Sequence, residues 1–161
     1  MRQTKEAFTW IIRLLREDNI PFQISGGFAA NIYGSSCPLA DIDIEVPDDK
    51  VLKIQKSVKK YIMYGPKKYK DKEWDLLFMT IKYKNQEIDI CGIDSQNIFD
   101  RKTKEWIKQN TDLSRATRKK VYNFIVPIIP LKNLILYKKR ILRDVDIQDI
   151  KTLSNLLTIL L

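Results

Sequence analysis

The alternation of acidic and aliphatic residues over 41–46, Asp-Ile-Asp-Ile-Glu-Val, constrains the fold more than any other feature of the sequence. Successive side chains of a β-strand point to opposite faces of its sheet, so this period of two predicts a strand. Its aliphatic side chains would be buried, and Asp41, Asp43 and Glu45 would share the other face. Pro47 would end the strand because proline lacks the N–H that a sheet ladder uses. The fold must therefore contain a sheet with a core on one face and carboxylates on the other.

The sequence around this strand predicts helices and strands in alternation. In chain order, the predicted elements are a helix with the apolar stripe Phe8, Ile11, Ile12 and Leu15, a strand over 22–24, a glycine turn over 25–27, a short helix over 28–34, the strand over 41–46, a helix with apolar positions at Val51, Ile54 and Val58, a hairpin over 74–82 and 87–93, an extended segment over 121–128, and helices over 131–142 and from Asp144 or Asp146 through Leu157. Residues 64–70, which mix basic and aromatic side chains, are predicted to form a loop.

These elements predict an α+β fold, in which a mixed β-sheet is flanked by helices and followed by a helical C-terminal segment. A length of 161 residues is about that of one domain. We therefore expect a single domain over 1–161. Its α/β core would span 1–129, and the C-terminal helices over 130–161 would pack on that core.

The composition excludes several kinds of chemistry. The chain has no histidine, which excludes serine–histidine and cysteine–histidine hydrolases and zinc–histidine sites. Its two cysteines, Cys37 and Cys91, do not have the spacing of a zinc site. A charged N-terminus and the lack of an apolar stretch of about 18 residues predict a cytoplasmic protein without a membrane partner. The net charge of +9 favours polyanionic partners, such as nucleoside triphosphates or nucleic acids.

Three acidic residues and a pair of glycines form the candidate site. Asp41 and Asp43 would project from one face of a strand, where their oxygens could share hard cations such as Mg²⁺. Asp89, on a later predicted strand, could complete a site for two metal ions and accept a proton from an attacking hydroxyl. Gly26 and Gly27 have no Cβ, so their backbone N–H groups could approach phosphate oxygens closely.

Two segments of the chain resemble a known family. Ser25-Gly26-Gly27-Phe28-Ala29-Ala30 followed by Leu39-Ala40-Asp41-Ile42-Asp43 is similar to the signature of polymerase-β-like nucleotidyltransferases. The likeness is to the double-glycine branch, which includes aminoglycoside and lincosamide nucleotidyltransferases. The tail, with Pro130–Ile135, Lys138, Arg143-Asp144 and Asp149-Ile150, is similar to the C-terminal pattern of that branch.

The resemblance implies an enzyme that uses Mg²⁺, as two ions, to move a nucleoside monophosphate from a nucleoside triphosphate such as ATP to a hydroxyl group. By the same resemblance, Gly26 and Gly27 would contact the triphosphate. Asp41 and Asp43 would bind metal, with the third acid at Asp89. Lys138 would be a candidate phosphate or nucleotide contact. The acceptor could be a small molecule, a tRNA or a protein.

The sequence departs from the family pattern at two places. Many relatives carry a basic residue shortly before the Asp-x-Asp strand, whereas this chain has Cys37-Pro38-Leu39-Ala40. The serine that the larger superfamily places after the first glycine is replaced by the second glycine. Three other serines, Ser25, Ser35 and Ser36, are therefore the candidate phosphate ligands.

Several alternatives remain open from the sequence. Glu87 and Asp75 compete with Asp89 for the role of third acid, since Glu87 faces the same side two residues earlier and Asp75 lies on the preceding predicted strand. The missing basic residue before Asp41 is compatible with a nucleotide-binding module of the same fold whose catalysis is weak or lost. A basic domain that binds nucleic acid or another protein is the third hypothesis.

Overall fold

The computed structural model describes residues 2–159, which form five α-helices and nine β-strands. The helices are α1 (Arg2–Glu17), α2 (Gly26–Ile32), α3 (Asp48–Val58), α4 (Leu131–Ile141) and α5 (Asp144–Ile159). The strands are β1 (Gln23–Ile24), β2 (Asp41–Val46), β3 (Ile62–Lys70), β4 (Trp74–Tyr83), β5 (Gln86–Gly92), β6 (Asn97–Asp100), β7 (Glu105–Lys108), β8 (Thr117–Val121) and β9 (Phe124–Ile128).

All nine strands belong to one mixed sheet, in the order β7-β6-β4-β5-β2-β1-β9-β8, with β3 paired to β4. The strand β2 lies between β5, to which it is parallel, and β1, to which it is antiparallel. Helix α2 follows directly on β1. This order places the acidic strand near the middle of the sheet, with α2 on one side of it and β5, β4 and β3 on the other.

The aliphatic side chains of β2 lie in the core, as the alternation predicts. Ile42 and Ile44 are fully buried, together with Ile88 and Ile90 of β5. Helices α1 and α3 contact β5 and supply the predicted apolar stripes to the same core. The buried residues of these stripes are Phe8, Ile11, Ile12 and Leu15 in α1, and Val51, Ile54 and Val58 in α3. The opposite face of β2 is thereby left free for the carboxylates.

The C-terminal helices extend the same hydrophobic core. Leu131 and Leu134 of α4 and Leu153 of α5 are buried in it. Within residues 2–159, no helix is both long enough and apolar enough to cross a bilayer. The predicted α+β fold class is confirmed, whereas the division of the domain at residue 129 stays a prediction.

Three predictions of local structure are wrong. Residues 64–70 are part of strand β3 rather than a loop, because they pair with β4 on either side of an irregularity at Gly65 and Pro66. The extended segment over 121–128 is interrupted at Tyr122, which has a positive φ of 51°, and therefore forms parts of two antiparallel strands. The sequence also predicts Asp48 or Asp49 as the cap of α3, but both lie in its first turn and the residue that caps the helix is Pro47.

Candidate active site

Three carboxylates meet on the open face of the sheet. Asp41 and Asp43 lie two residues apart on β2, and Asp89 of β5 is the register partner of Asp43. One oxygen from each of the three side chains lies within 4.8 Å of the others. The parallel pairing of β2 with β5 thus brings Asp89 to Asp41 and Asp43, which precede it by 48 and 46 residues in the sequence.

Burial raises the pKa values of all three carboxylates. Burial and the charges of Asp41 and Asp89 raise the pKa of Asp43 to about 8. Burial is also the main cause that raises the pKa of Asp41, and it raises that of Asp89 to about 6. Like charges in a partly dry site disfavour full ionisation, and a divalent cation would supply the missing positive charge. The all-oxygen donor set suits Mg²⁺.

Of the three candidates for the third acid, the structure brings Asp89 to Asp41 and Asp43. The hydroxyl of Thr80 on β4 donates to Asp89 Oδ1 over 2.7 Å, which fixes the carboxylate. Glu87 lines the same cleft, but half of its side chain is exposed and it lies 3.7 Å from Lys82 Nζ. Asp75 forms ion pairs with two lysines of β3 and lies outside the cleft lining.

The two glycines have different relations to Asp43. Gly26 has a φ of +58°, and a Cβ built on it would lie 1.8 Å from Asp43 Oδ2. Gly27 donates its backbone N–H to the same oxygen over 3.2 Å, yet a Cβ at this position would meet no atom within 4 Å. Glycine is therefore required at 26 by backbone conformation and by space, whereas at 27 there is room for a side chain.

We expect Gly26→Ala to lower the free energy of unfolding by about 1–2 kcal/mol or more, because alanine is strained at positive φ and its Cβ would displace the Asp43 carboxylate. Gly27→Ala is the matched control, since it adds the same methyl group into open space within a helix. It should leave stability unchanged or raise it by up to about 1 kcal/mol. Urea denaturation of both variants measures the difference, and equal losses would contradict this account of Gly26.

The three candidate serines are placed differently. Ser25 lines the cleft, and its side chain makes no capping bond at the start of α2. Ser35 is buried and donates its hydroxyl to Asp149. Ser36 is exposed and lies outside the cleft lining. Of the three, Ser25 therefore has a side chain placed to meet a ligand beside the carboxylates.

Lys138 is held in a buried cluster of charges under the cleft. Its side chain is 1% exposed, and Nζ lies 2.9 Å from Asp146 Oδ1 and 2.8 Å from Asp149 Oδ2. Arg143 donates to both oxygens of Asp146 from its side chain. Although burial raises them, these partners hold the pKa values of Asp146 and Asp149 below the ordinary range. The cluster of two cations and two anions is electrically balanced, and two of the three N–H groups of Lys138 point to its carboxylates.

Arg143 is a residue of the cleft that the sequence pattern did not single out as a ligand. Its guanidinium lies 4.8 Å from the ring centre of Trp74, and its positive charge lowers the pKa of Asp41 against the effect of burial. Cys37, Pro38 and Ala40 also line the cleft, at the place where the family pattern has a basic residue. The signal in the sequence that could have directed attention to another cation was the lack of a basic residue at this place.

The carboxylates, the glycines and Arg143 surround one cleft of about 400 Å³. This volume is in the range of small-molecule sites. A wider groove of about 740 Å³ runs along α1, but neither the three carboxylates nor the two glycines contribute to its lining. The chemistry-bearing residues therefore coincide with the smaller, more enclosed cleft.

The chain has the nucleotidyltransferase fold, and the resemblance seen in the sequence is confirmed at that level. No protein-family model matches the sequence, and no curated protein matches it by sequence similarity. The similarity to nucleotidyltransferases is therefore found by comparing structures rather than sequences.

Three solved structures illustrate the likeness. A Thermotoga maritima protein provisionally described as a nucleotidyltransferase has a TM-score of 0.71 at 14% identity, over 98% of this chain and 94% of its own. The lincosamide antibiotic adenylyltransferase LnuA, with lincomycin bound, has a TM-score of 0.62 at 17% identity, over 92% and 95%. ANT(2")-Ia, in complex with adenylyl-2"-tobramycin, has a TM-score of 0.60 at 13% identity, over 94% and 88%. At these identities the comparisons establish the fold.

Proposed function

We propose that this protein is a Mg²⁺-dependent nucleotidyltransferase that moves a nucleoside monophosphate from a nucleoside triphosphate, such as ATP, to a hydroxyl group of an acceptor. The observation that carries the proposal is the meeting of Asp41, Asp43 and Asp89, with oxygens within 4.8 Å of one another, beside the start of α2. A row of carboxylates with raised pKa values is costly without a cation, so this arrangement favours a metal site over a solvated strand face.

The side chains divide the work as follows. Asp41, Asp43 and Asp89 would hold Mg²⁺, which when bound neutralises charge on the reacting phosphate and on the departing pyrophosphate. Asp89 would also receive the proton of the acceptor hydroxyl, and the bond from Thr80 keeps its carboxylate in place for that step. The hydroxyl of Ser25 and the backbone of Gly26 and Gly27 would lie against the phosphates.

Arg143 would supply the cation that the segment before β2 lacks. A guanidinium binds phosphate oxygens through two parallel N–H bonds, and its contact with Asp146 and Trp74 already fixes its direction. The substitution at Cys37–Ala40 is the specific reason to keep a second candidate function, a nucleotide-binding module without turnover. Arg143 weakens that alternative because a cation is present at the carboxylates after all.

Calorimetric titration with a non-hydrolysable ATP analogue, with Mg²⁺ and with EDTA, tests the proposal. Wild-type protein should bind the analogue more tightly with Mg²⁺, and Asp41→Asn with Asp43→Asn should remove that gain, because amides are poor ligands for the ion. The matched control is Asp49→Asn with Asp144→Asn, which removes two charges at exposed positions outside the cleft. If Mg²⁺ still tightens binding of the analogue in the Asp41→Asn, Asp43→Asn variant, these two aspartates are not the metal ligands.

Stability serves as the folding control for this experiment. Because the folded-state pKa of Asp43 is raised to about 8, its stabilising contribution is complete below about pH 4 and is lost as the pH rises through 8. Neutral asparagines should therefore make the metal-free variant at least as stable as wild type at pH 8.

The release of pyrophosphate separates the two candidate functions. Tight nucleotide binding without release of pyrophosphate would favour the nucleotide-binding module without turnover.

A further inference from the structure

The cleft has a second half, whose position relative to Asp89 identifies it as the place of the acceptor, if the proposed function holds. The phosphates would lie at the start of α2, which follows β1 on one side of the carboxylates. An acceptor hydroxyl that gives its proton to Asp89 must approach from the other side, over β5 and β4. The walls formed by β4 and β3 therefore determine which acceptors fit.

Those walls are built from apolar and aromatic side chains. Thr80 is the register partner of Asp89, so Phe78, Leu76 and Trp74 follow it on the same face of β4. Tyr69 of β3 is the register partner of Leu76, and its ring lies 5.3 Å from that of Phe78. All of these side chains line the cleft. The acceptor half thus offers flat hydrocarbon surfaces on several sides.

The polar ends of the aromatic side chains already have partners in the protein. Trp74 donates its indole N–H to the hydroxyl of Tyr137 over 2.9 Å, and the hydroxyl of Tyr69 donates to Asp71 over 2.9 Å. A ligand would consequently meet ring faces and edges here. Stacking and apolar contact are the interactions that such surfaces provide.

One polar group in this half lacks a partner. Gln96 is 3% exposed, lines the cleft, and its Oε1 is buried with no hydrogen-bond partner in the described part of the chain. An unpaired buried amide oxygen costs free energy that a donor on a ligand would recover. Gln96 directly precedes β6, which pairs with β4 at Trp74. The donor would therefore sit at the aromatic end of the cleft.

The charges in the cleft disfavour a polycationic acceptor. Glu45 is buried and accepts a hydrogen bond from Gln23 over 2.6 Å, and burial raises its pKa to about 7. Glu87 is compensated by Lys82. The two glutamates that line the cleft are thus each engaged by a neighbouring side chain, which weakens their attraction for an ammonium group.

From these contacts we infer that the acceptor is a small uncharged molecule with a flat aromatic body, a hydroxyl that reaches Asp89 and a hydrogen-bond donor that reaches Gln96. In the transfer step the hydroxyl oxygen forms a bond to the α-phosphorus, and the bond from that phosphorus to the bridging oxygen breaks. Pyrophosphate leaves with the electron pair of the broken bond, and the hydroxyl proton passes to Asp89. The products are a nucleoside monophosphate ester of the alcohol and pyrophosphate.

Two aryl alcohols and one polycation test this inference with Mg²⁺ and ATP. Indole-3-ethanol carries a ring N–H, 2-(1-naphthyl)ethanol does not, and kanamycin is a polycation. We expect transfer to indole-3-ethanol with kcat/KM at least about 10-fold above that for kanamycin, measured by pyrophosphate release and by the mass of the adenylylated product. Transfer to kanamycin, with neither aryl alcohol bound or adenylylated up to its solubility limit, would overturn the inference.

Gln96→Met separates recognition from folding, since methionine keeps the shape without the amide. It should lower kcat/KM for indole-3-ethanol by about 10-fold and leave that for 2-(1-naphthyl)ethanol unchanged or higher. Equal losses for the two alcohols would overturn the role of Gln96. Loss of Mg²⁺–ATP binding by wild-type protein would instead be a failure of the proposed function, and the titration described above detects that separately.

Discussion

Asp89→Asn is expected to reduce nucleotidyl transfer by roughly 10² or more, while the affinity for the Mg²⁺–triphosphate complex falls much less. The asparagine keeps the shape of the side chain and can still accept the bond from Thr80, but it cannot receive a proton. A strand residue with a purely structural role would show little kinetic effect. Slow hydrolysis of ATP to AMP and pyrophosphate serves as the assay where the acceptor is left out.

The matched controls for this variant are Glu87→Gln and Asp75→Asn. Glu87 lies on the same strand as Asp89 and Asp75 lies on the neighbouring strand β4, and neither is one of the three clustered acids. Both should retain most of the activity. If either of them loses it while Asp89→Asn retains it, the third acid has been assigned to the wrong residue, although the fold is unaffected.

Lys138→Met should destabilise the protein by about 3–5 kcal/mol, because it leaves Asp146 and Asp149 buried without their shared cation. For a chain of this size the loss corresponds to a fall in Tm of about 10 °C or more. Lys139→Met is the matched control, since the neighbouring lysine is exposed and its replacement should change stability by no more than about 0.5 kcal/mol.

The pH dependence of this loss separates the buried-cluster role of Lys138 from a phosphate contact. The pKa values of Asp146 and Asp149 are lowered in the folded protein, so the stabilisation by the cluster is present above about pH 4 and is lost as the pH falls further. The difference in unfolding free energy between wild type and Lys138→Met should therefore narrow in acid. Unchanged stability combined with weaker triphosphate binding would instead favour direct contact.

The carboxylate cluster could be anticipated because its signal is local and repeats with the period of a strand. The alternation over 41–46 fixed which side chains share a face, and the acidic residue at 89 lies in a segment of the same kind. The cluster then forms because these two strands, β2 and β5, are neighbours in the sheet. The choice of Asp89 over Glu87 depended on the register of that pairing, which the sequence left open.

Residues that act through long-range contacts could not be anticipated in the same way. Ser35 donates to Asp149, which lies 114 residues further along the chain, and no local sequence pattern indicates that contact. Lys138 meets the same carboxylate only because α4 and α5 pack against each other. Gln96 lies in a short connection before a four-residue strand, where period and propensity carry little information. Strand β3 was missed because Gly65 and Pro66, together with its lysines, hide the alternation that pairing with β4 imposes.

One oxygen of Asp43, Oδ2, is a candidate for two interactions, a hydrogen bond from the backbone and a bond to a metal ion. It accepts the backbone N–H of Gly27, and it belongs to a carboxylate that would coordinate the cation. Under the proposed function, a metal that drew this oxygen away from Gly27 would free the N–H for a phosphate. Cation and nucleotide would each make the other's arrival easier, and by reciprocity the two effects must be equal in free energy. Under the proposed function, the cleft would therefore take up the metal and the nucleotide together as one complex.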